Sequence, residues 1–325
     1  MKWGILATGT IAKKFADTIN QMPEHELTAC ASRTLDKALS FAKEFQIKRA
    51  YGSYEDMLKD EGIDAIYIAT PNNLHYENCV MCLNAGKHVL CEKPFTPTRA
   101  EAEKLFALAT EKGLFIMEAF WIRFLPALRK MQEIIKSGVI GDVVWARSDY
   151  GFIASGDRKG RKFDSALAGG ALLDIGIYNL GFIRMAMSDM QPISFESQYH
   201  ISEYGTDDFS TILLKYQNGK SACVTTSIGI QIPRYAAVFG TKGSILLDDF
   251  QHARKFTVQI FGEEPYTIEL PWEINGFEYQ IREVDRCVKL GMTTSDILKK
   301  EDTLETLELM DRIRDSWGMK FSFEQ

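Results

Sequence analysis

Over the first 120 residues, short apolar runs alternate with stretches in which apolar positions recur at helical spacing. The first pattern predicts buried strands and the second amphipathic helices. Strands are expected over residues 2–7, 27–32, 48–51, 64–69, 88–91 and 114–119. Helices are expected over 10–21, around Ala38, Phe41, Ala42 and Phe45, and over 54–59, 74–85 and 98–112. Gly86 and Gly113 follow the last two helices as natural terminators. Regular strand–helix alternation implies parallel strands joined by right-handed crossovers. Continuous apolar strands such as residues 65–69 fit a sheet buried on both faces. Such a sheet binds ligands beyond the carboxyl ends of its strands, where the strand order reverses.

The pattern then changes. An amphipathic helix over 124–136 ends at Gly138, a strand follows at 143–152, and a largely apolar helix spans 170–187. Strands dominate from there: 195–204, 209–216, 221–230, 236–239, 244–247, 256–261 and 266–270, with helices at 277–290 and 302–317. Asn218-Gly219 between two of these strands is a hairpin signal. The expected class is α/β. A Rossmann doubly wound parallel sheet on residues 1–122 precedes an α+β domain with a large, mostly antiparallel sheet on 123–325. Helices cover one face of that second sheet. A second copy of the chain is the simple cover for the other, so a homo-oligomer, dimer or tetramer, is expected through the open face.

Composition narrows the functional classes. Hydrophobic residues make up 46% and charged residues 25% of 325 positions, which excludes disorder for most of the chain. A formal charge of −6 without a long basic run argues against nucleic acid as partner. No stretch of about 18 uncharged apolar residues is present, so no membrane span is expected. The N-terminus does not read as a secretory signal, and six cysteines are too sparse for a disulfide scaffold. A reducing, cytoplasmic location is the default expectation.

The loop after the first strand reads Ala7-Thr8-Gly9-Thr10-Ile11-Ala12, a G-x-G-x-x-A pattern whose first glycine is replaced. Small residues there let the backbone approach a pyrophosphate at a helix N-terminus. At the end of strand two an acid would hold a ribose 2′-hydroxyl; here Ser32-Arg33 stand instead, with no acid before Asp36. A hydroxyl and a guanidinium suit a 2′-phosphate, which favours NADP(H) over NAD(H). The alternative places Arg33 on the solvated surface or stacked on adenine. Two further segments, Thr70-Pro71-Asn72 with His75 and Glu92-Lys93-Pro94, follow strands four and five and point at the same crevice. A lysine there can hold a substrate hydroxyl, or can pair with an acid at the surface. Cys79 and Cys82 have C-x-x-C spacing but fall within a helix, and no metal site is expected. Phe120, Trp121 and Phe124 suit either a substrate pocket or interdomain packing, and Arg158 to Lys162 form a basic loop.

Together these blocks resemble the glucose–fructose oxidoreductase/inositol dehydrogenase (GFO/IDH/MocA) family of Rossmann-fold oxidoreductases. The resemblance continues through Glu118-Ala119-Phe120-Trp121-Ile122-Arg123-Phe124-Leu125-Pro126 and Gly169-Gly170-Ala171-Leu172-Leu173-Asp174-Ile175-Gly176-Ile177-Tyr178. Those two blocks are most similar to the dimeric dihydrodiol dehydrogenase branch, which also oxidises D-xylose with NADP. The implied cofactor-binding residues are Thr8, Gly9, Thr10, Ile11, Ala12, Ser32, Arg33, Thr70, Pro71, Asn72, His75, Glu92, Lys93, Trp121 and Arg123. The resemblance also implies that Lys93 is the active-site lysine of an E-K-P motif. A D-x-G-x-[HY] block supplies Asp174 and Tyr178, the latter where many members carry His.

Asp174 and Tyr178 are four apart on an expected helix and so share a face. A free tyrosine, with a pKa of about 10, is a poor base at neutral pH, and an adjacent Lys93 ammonium would lower it. The implied reaction moves hydride between a nicotinamide and the carbinol carbon of a sugar or vicinal diol. Tyr178 takes the hydroxyl proton, Lys93 stabilises the substrate oxygen, and Asp174 orients substrate hydroxyls or Lys93. A non-catalytic NADP-binding sensor, or a reductase of another carbonyl or imine, would use the same fold. A sensor would not need Lys93, Asp174 and Tyr178 together.

Overall fold

The computed structural model describes residues 1–154 and 160–324. The chain forms two units, Met1–Trp121 with Glu273–Leu304, and Ile122–Trp272 with Glu305–Gln325. The return of Glu273–Leu304 differs from the sequence expectation, which gave everything beyond residue 122 to the second domain. Its physical basis is visible at the end of the first sheet, where the Ile116 amide donates to the Thr293 carbonyl at 3.0 Å. Thr18 and Asn275 add a side-chain hydrogen bond at 3.0 Å.

In the first unit the elements run β1 (Lys2–Leu6), α1 (Thr10–Asn20), β2 (Glu26–Ala31), α2 (Leu35–Phe45), β3 (Arg49–Tyr51), α3 (Tyr54–Leu58), β4 (Ala65–Ile68), α4 (His75–Asn84), β5 (His88–Cys91), α5 (Arg99–Lys112) and β6 (Ile116–Glu118). The sheet order is β3-β2-β1-β4-β5-β6, with every pair parallel. The order reverses between β1 and β4, so the loops leaving these two strands border the ligand crevice. Helix α1 buries Ala12, Phe15, Ala16 and Ile19 against the sheet. Phe15 stacks on Tyr67 of β4 with ring centroids 3.9 Å apart.

The second unit begins with a 3₁₀ turn, Trp121–Phe124, shared at the boundary, and α6 (Pro126–Ser137). This helix starts at Pro126 rather than at residue 124 because proline is preorganised for the first helical position. Then follow β7 (Val143–Gly151), α7 (Ile177–Ala186), β8 (Ser194–Ile201), β9 (Asp207–Lys215), β10 (Ser221–Ser227), β11 (Ala236–Gly240), β12 (Gly243–Leu247), β13 (Lys255–Ile260) and β14 (Tyr266–Glu269). Helix α8 (Glu278–Lys289) belongs to the first unit, and α9 (Lys300–Ser316) begins there and ends in the second.

The second sheet has the order β14-β13-β12-β11-β7-β10-β9-β8 and is antiparallel except for the β7–β10 pair. Asn218 and Gly219 both have positive φ (60° and 74°), the backbone a two-residue hairpin requires. The sheet face toward α7 is apolar and closed: Ala146, Ile212, Val224, Val238 and Ile245 are at most 1% exposed. The opposite face carries Trp145, Leu213, Cys223, Phe239 and Leu246, all partly open. The run Ser165–Ala186 is apolar and long enough to cross a bilayer by composition, but 89% of its apolar window is buried inside the fold, as in a core helix.

Candidate functional site

The turn after β1 begins at Ala7, whose φ of 78° is the left-handed region where glycine is usual. The motif's missing first glycine is therefore felt as local backbone strain. Gly9 then caps α1, with no side-chain cap and no acid in the first helical turn. The capping residue thus offers the leading amides, at the positive end of the helix dipole, no side-chain acceptor. A Cβ at Gly9 would meet nothing within 4 Å, so no neighbouring atom of the chain demands glycine there. The absent side chain leaves room in front of the helix. Thr10 and Ile11 are exposed at this end, and Ala12 is fully buried below it.

Thr8 donates to the Ser32 hydroxyl at 3.4 Å, which ties the loop after β1 to the end of β2. Arg33 follows, exposed, and among the described residues it makes no ion pair. An uncapped helix start beside a serine–arginine pair fits the phosphates of a dinucleotide.

The loops after β4 and β5 are fastened to each other. His75 is 0% exposed, with Nδ1 2.8 Å from the Pro94 carbonyl oxygen and Nε2 3.0 Å from that of Thr70. Burial pushes its pKa down to about 4, so the ring is neutral and donates one N–H. The structure shows for His75 a role in the loops themselves. Its side chain lies beneath the loops and links Thr70-Pro71-Asn72 to Glu92-Lys93-Pro94. Thr70 also accepts from Asn78 at 3.0 Å, and Asn72 is buried. Pro71 is half-buried.

Lys93 is half-buried and joined to Pro94 by a cis peptide. The Glu92 carboxylate accepts from the Tyr67 hydroxyl and from the Lys93 amide, and its burial raises its pKa. Glu118, at the end of β6, accepts from the Phe95 amide at 3.0 Å and from the Thr303 hydroxyl at 2.8 Å. Burial pushes the Glu118 carboxyl up to about 7. Thr303 lies on the returning segment, and nothing in the sequence linked it to this loop. Trp121 is 3% exposed; it packs on Phe277 at 5.6 Å, with the Lys14 ammonium 4.2 Å from its ring.

In the second unit, Arg123 is 6% exposed and grips both oxygens of Asp189 at 3.0 and 3.2 Å. A buried guanidinium calls for a carboxylate, and Asp189 supplies one to the residue that the family resemblance places among the cofactor contacts. Asp174 and Tyr178 lie on one continuous helical run, but not on a regular α-helix. Leu172–Gly176 forms a π-turn, with Ile177 N–H bonded back to the Leu172 carbonyl, and α7 continues from it. Such turns are frequent at functional sites. Asp174 and Tyr178 are 8% and 6% exposed. Arg161 Nη2 stands 3.6 Å from Asp174 Oδ1; of the basic loop, Arg158 and Lys159 lie outside the described residues. Asn179 fastens the helix to its sheet, accepting from Ser148 at 2.9 Å and donating to Thr226 at 2.8 Å. Among the described residues no cluster of His, Cys, Asp and Glu could hold a metal ion.

Residues 1–120 match the oxidoreductase family with an NAD-binding Rossmann fold, and residues 128–246 match the GFO/IDH/MocA C-terminal domain. The chain belongs to the GFO/IDH/MocA oxidoreductase family. It is 34% identical to trans-1,2-dihydrobenzene-1,2-diol dehydrogenase from Mus musculus, over 99% of this chain and 98% of that one. Among solved structures it is similar to the aldose-aldose oxidoreductase of Caulobacter crescentus crystallised with glycerol, with a TM-score of 0.88, 26% identity and 97% of each chain covered. A 3-ketoreductase from Actinomadura kijaniata, crystallised with NADP and TDP-benzene, gives a TM-score of 0.83 at 26% identity, again over 97% of each chain. This GFO/IDH/MocA member is an enzyme, an oxidoreductase with an NAD(P)-binding Rossmann fold and a small-molecule substrate.

Proposed function

We propose that the chain is an NADP-dependent dehydrogenase that oxidises a carbinol carbon of a sugar or vicinal diol, a class that includes the dihydrobenzenediol of its relatives. The observation that carries this reading is the setting of Lys93. The residue stands half-buried at the carboxyl end of a central strand, on a loop held by His75, Glu92 and Glu118. Preorganisation of that kind suits a group that must meet a developing charge.

When bound, NADP supplies the hydride acceptor. The backbone of Thr8 to Ala12 holds its pyrophosphate at the start of α1, and Ser32 and Arg33 hold the 2′-phosphate. Lys93 donates hydrogen bonds to the substrate oxygen and stabilises its negative charge as the hydroxyl proton leaves. Tyr178 receives that proton, and Asp174 orients neighbouring substrate hydroxyls. Carbonyl reduction follows the same path reversed.

We further infer that a second copy covers the open sheet face, as a dimer or tetramer, because Trp145 stacked on Phe239 and Cys223 paired with Leu213 leave partly open apolar surface there. All six cysteines are free, which supports a reducing, cytoplasmic setting.

The test is turnover of NADP+ with trans-1,2-dihydrobenzene-1,2-diol, D-xylose and a panel of aldoses, inositols and cyclic diols, followed by nicotinamide absorbance. Lys93→Ala and Tyr178→Phe each lose turnover and keep cofactor affinity. NADPH binding without turnover across the panel would favour a regulatory sensor instead.

A further inference from the structure

The helical run that carries Asp174 and Tyr178 starts on a carboxylate that the chemistry above does not use. Asp207 opens β9 and is 0% exposed. Its Oδ2 accepts from the Leu172 amide at 2.8 Å, while among the described residues Oδ1 has no hydrogen-bond partner. Gly170 lies against that second oxygen: a Cβ there would sit 2.4 Å from Oδ1, and its φ of 114° is itself a glycine conformation. Glycine is required twice at this position, by the backbone and by the carboxylate.

The neighbouring residue acts on the other side of the same junction. Thr206, also 0% exposed, donates to the Phe163 carbonyl at 3.0 Å. Between these anchors the Gly170 amide donates to the Lys162 carbonyl at 2.8 Å, and a Cβ at Gly169 would lie 2.8 Å from the Arg161 carbonyl oxygen. The chain over residues 161–163 therefore lies directly on the glycine pair. One strand end holds both that chain and the helix start, whose side chains converge where Arg161 meets Asp174 at 3.6 Å.

A buried carboxyl with an unbonded oxygen carries a desolvation penalty that an apolar filler would avoid. Its return is orientation: an acceptor fixed at a helix start sets the path of the first turn. We infer that Asp207 is a positioning residue for the reaction, acting through the Leu172 amide and the Gly170 backbone to place Asp174 and Tyr178 against the substrate. The inference rests on the reading in which those two side chains act on substrate.

The experiment uses the complete chain with NADP+ and trans-1,2-dihydrobenzene-1,2-diol or D-xylose. It compares Asp207→Ala, Asp207→Asn, Gly170→Ala and Tyr178→Phe. Misplacing the helix start lowers kcat by about 10- to 100-fold in Asp207→Ala and Gly170→Ala. The NADP+ dissociation constant, set in the other unit, stays within about twofold. Asp207→Asn keeps an oxygen for the Leu172 amide and recovers most of the rate. Should Asp207→Ala not fold, Gly170→Ala carries the same test. Wild-type kcat in either folded variant, or a change confined to KM, overturns the inference. If Tyr178→Phe loses turnover while those variants keep it, only the positioning role fails. A fully active Tyr178→Phe sinks the site assignment and this inference with it.

Discussion

His75 Nδ1 stands 2.8 Å from the Pro94 carbonyl oxygen, so an imidazole links the loop after β4 to the loop that carries Lys93. Replacing it with an apolar side chain leaves whichever of the buried Thr70 and Pro94 carbonyls accepts its single N–H without a donor. His75→Leu is expected to lower stability by about 1–3 kcal/mol, read from urea denaturation. It also reduces kcat, because the Lys93 loop loses its tether. An unchanged rate would mean that Glu92 and Glu118 hold the loop without it.

Arg33 is exposed beside Ser32, next to the open helix start, with no ion pair among the described residues. Charge-assisted hydrogen bonds to a 2′-phosphate are worth about 1.5–3 kcal/mol, so Arg33→Ala is expected to raise KM for NADP+ by roughly 10- to 100-fold. KM for NAD+ changes little. Equal weakening of both cofactors would defeat the 2′-phosphate assignment.

Arg123→Ala separates packing from cofactor binding. Among the described residues Asp189 would keep the Arg184 guanidinium, at 3.9 Å. Its side chain is 36% exposed, so solvent offsets part of the loss, and roughly 1–2 kcal/mol of destabilisation is expected. NADP+ affinity, read by fluorescence titration, stays within about twofold of wild type. A large loss of affinity would restore the cofactor role that the sequence suggested.

These three residues show where sequence reading succeeds and where it stops. Strand and helix periods are local, so both sheets were legible, including the Asn218-Gly219 turn and the parallel order that places Thr70 and Lys93 at strand ends. Arg33 was legible because its position after β2 is fixed by the fold. His75 and Arg123 fall in motif blocks that suggest cofactor contacts, whereas their burial and their partners Pro94 and Asp189 are tertiary facts. Asp189 is 66 positions from Arg123, and Thr303 is 185 from Glu118. No local pattern reports such pairs. The π-turn beneath Asp174 was equally hidden, since a helix interrupted by one wider turn keeps nearly the same apolar period.

The open sheet face gives a prediction about assembly. Leu213 is 37% exposed on β9, beside Cys223 and at one end of this apolar surface. Leu213→Lys places an ammonium where a second copy would seat and is expected to shift the oligomer toward monomer in light scattering after size exclusion. A wild-type protein that is monomeric at micromolar concentration would remove the oligomer proposal.

Stability should fall as pH rises through neutrality. Burial lifts the Glu118 carboxyl from 4.5 to about 7, with the nearby Glu92 charge acting in the same direction and Lys93 against it. Asp207 moves likewise, from 3.8 to about 7. Between the ordinary and the raised values the folded chain binds protons that the unfolded chain releases. The stabilisation is therefore complete below pH about 4 and is lost as pH rises through about 7. Asp60, lowered by hydrogen bonds from Tyr51 and the Gly62 amide and by the Arg49 charge, and Glu324, lowered by Arg314, act oppositely below this window. His75, held near 4 by burial, offsets part of the decline between about pH 4 and 6.5 and leaves the fall clearest around pH 7. Glu118→Gln keeps an acceptor for the Phe95 amide, presents an amide N–H where the carboxylate accepts from Thr303, and removes the titrating charge. It is expected to flatten the decline in Tm between about pH 5 and pH 8, and to exceed wild type at pH 8 by on the order of 1–3 kcal/mol. Thermal melts of both proteins across that range decide the matter: parallel curves would show that Glu118 is not the group that titrates.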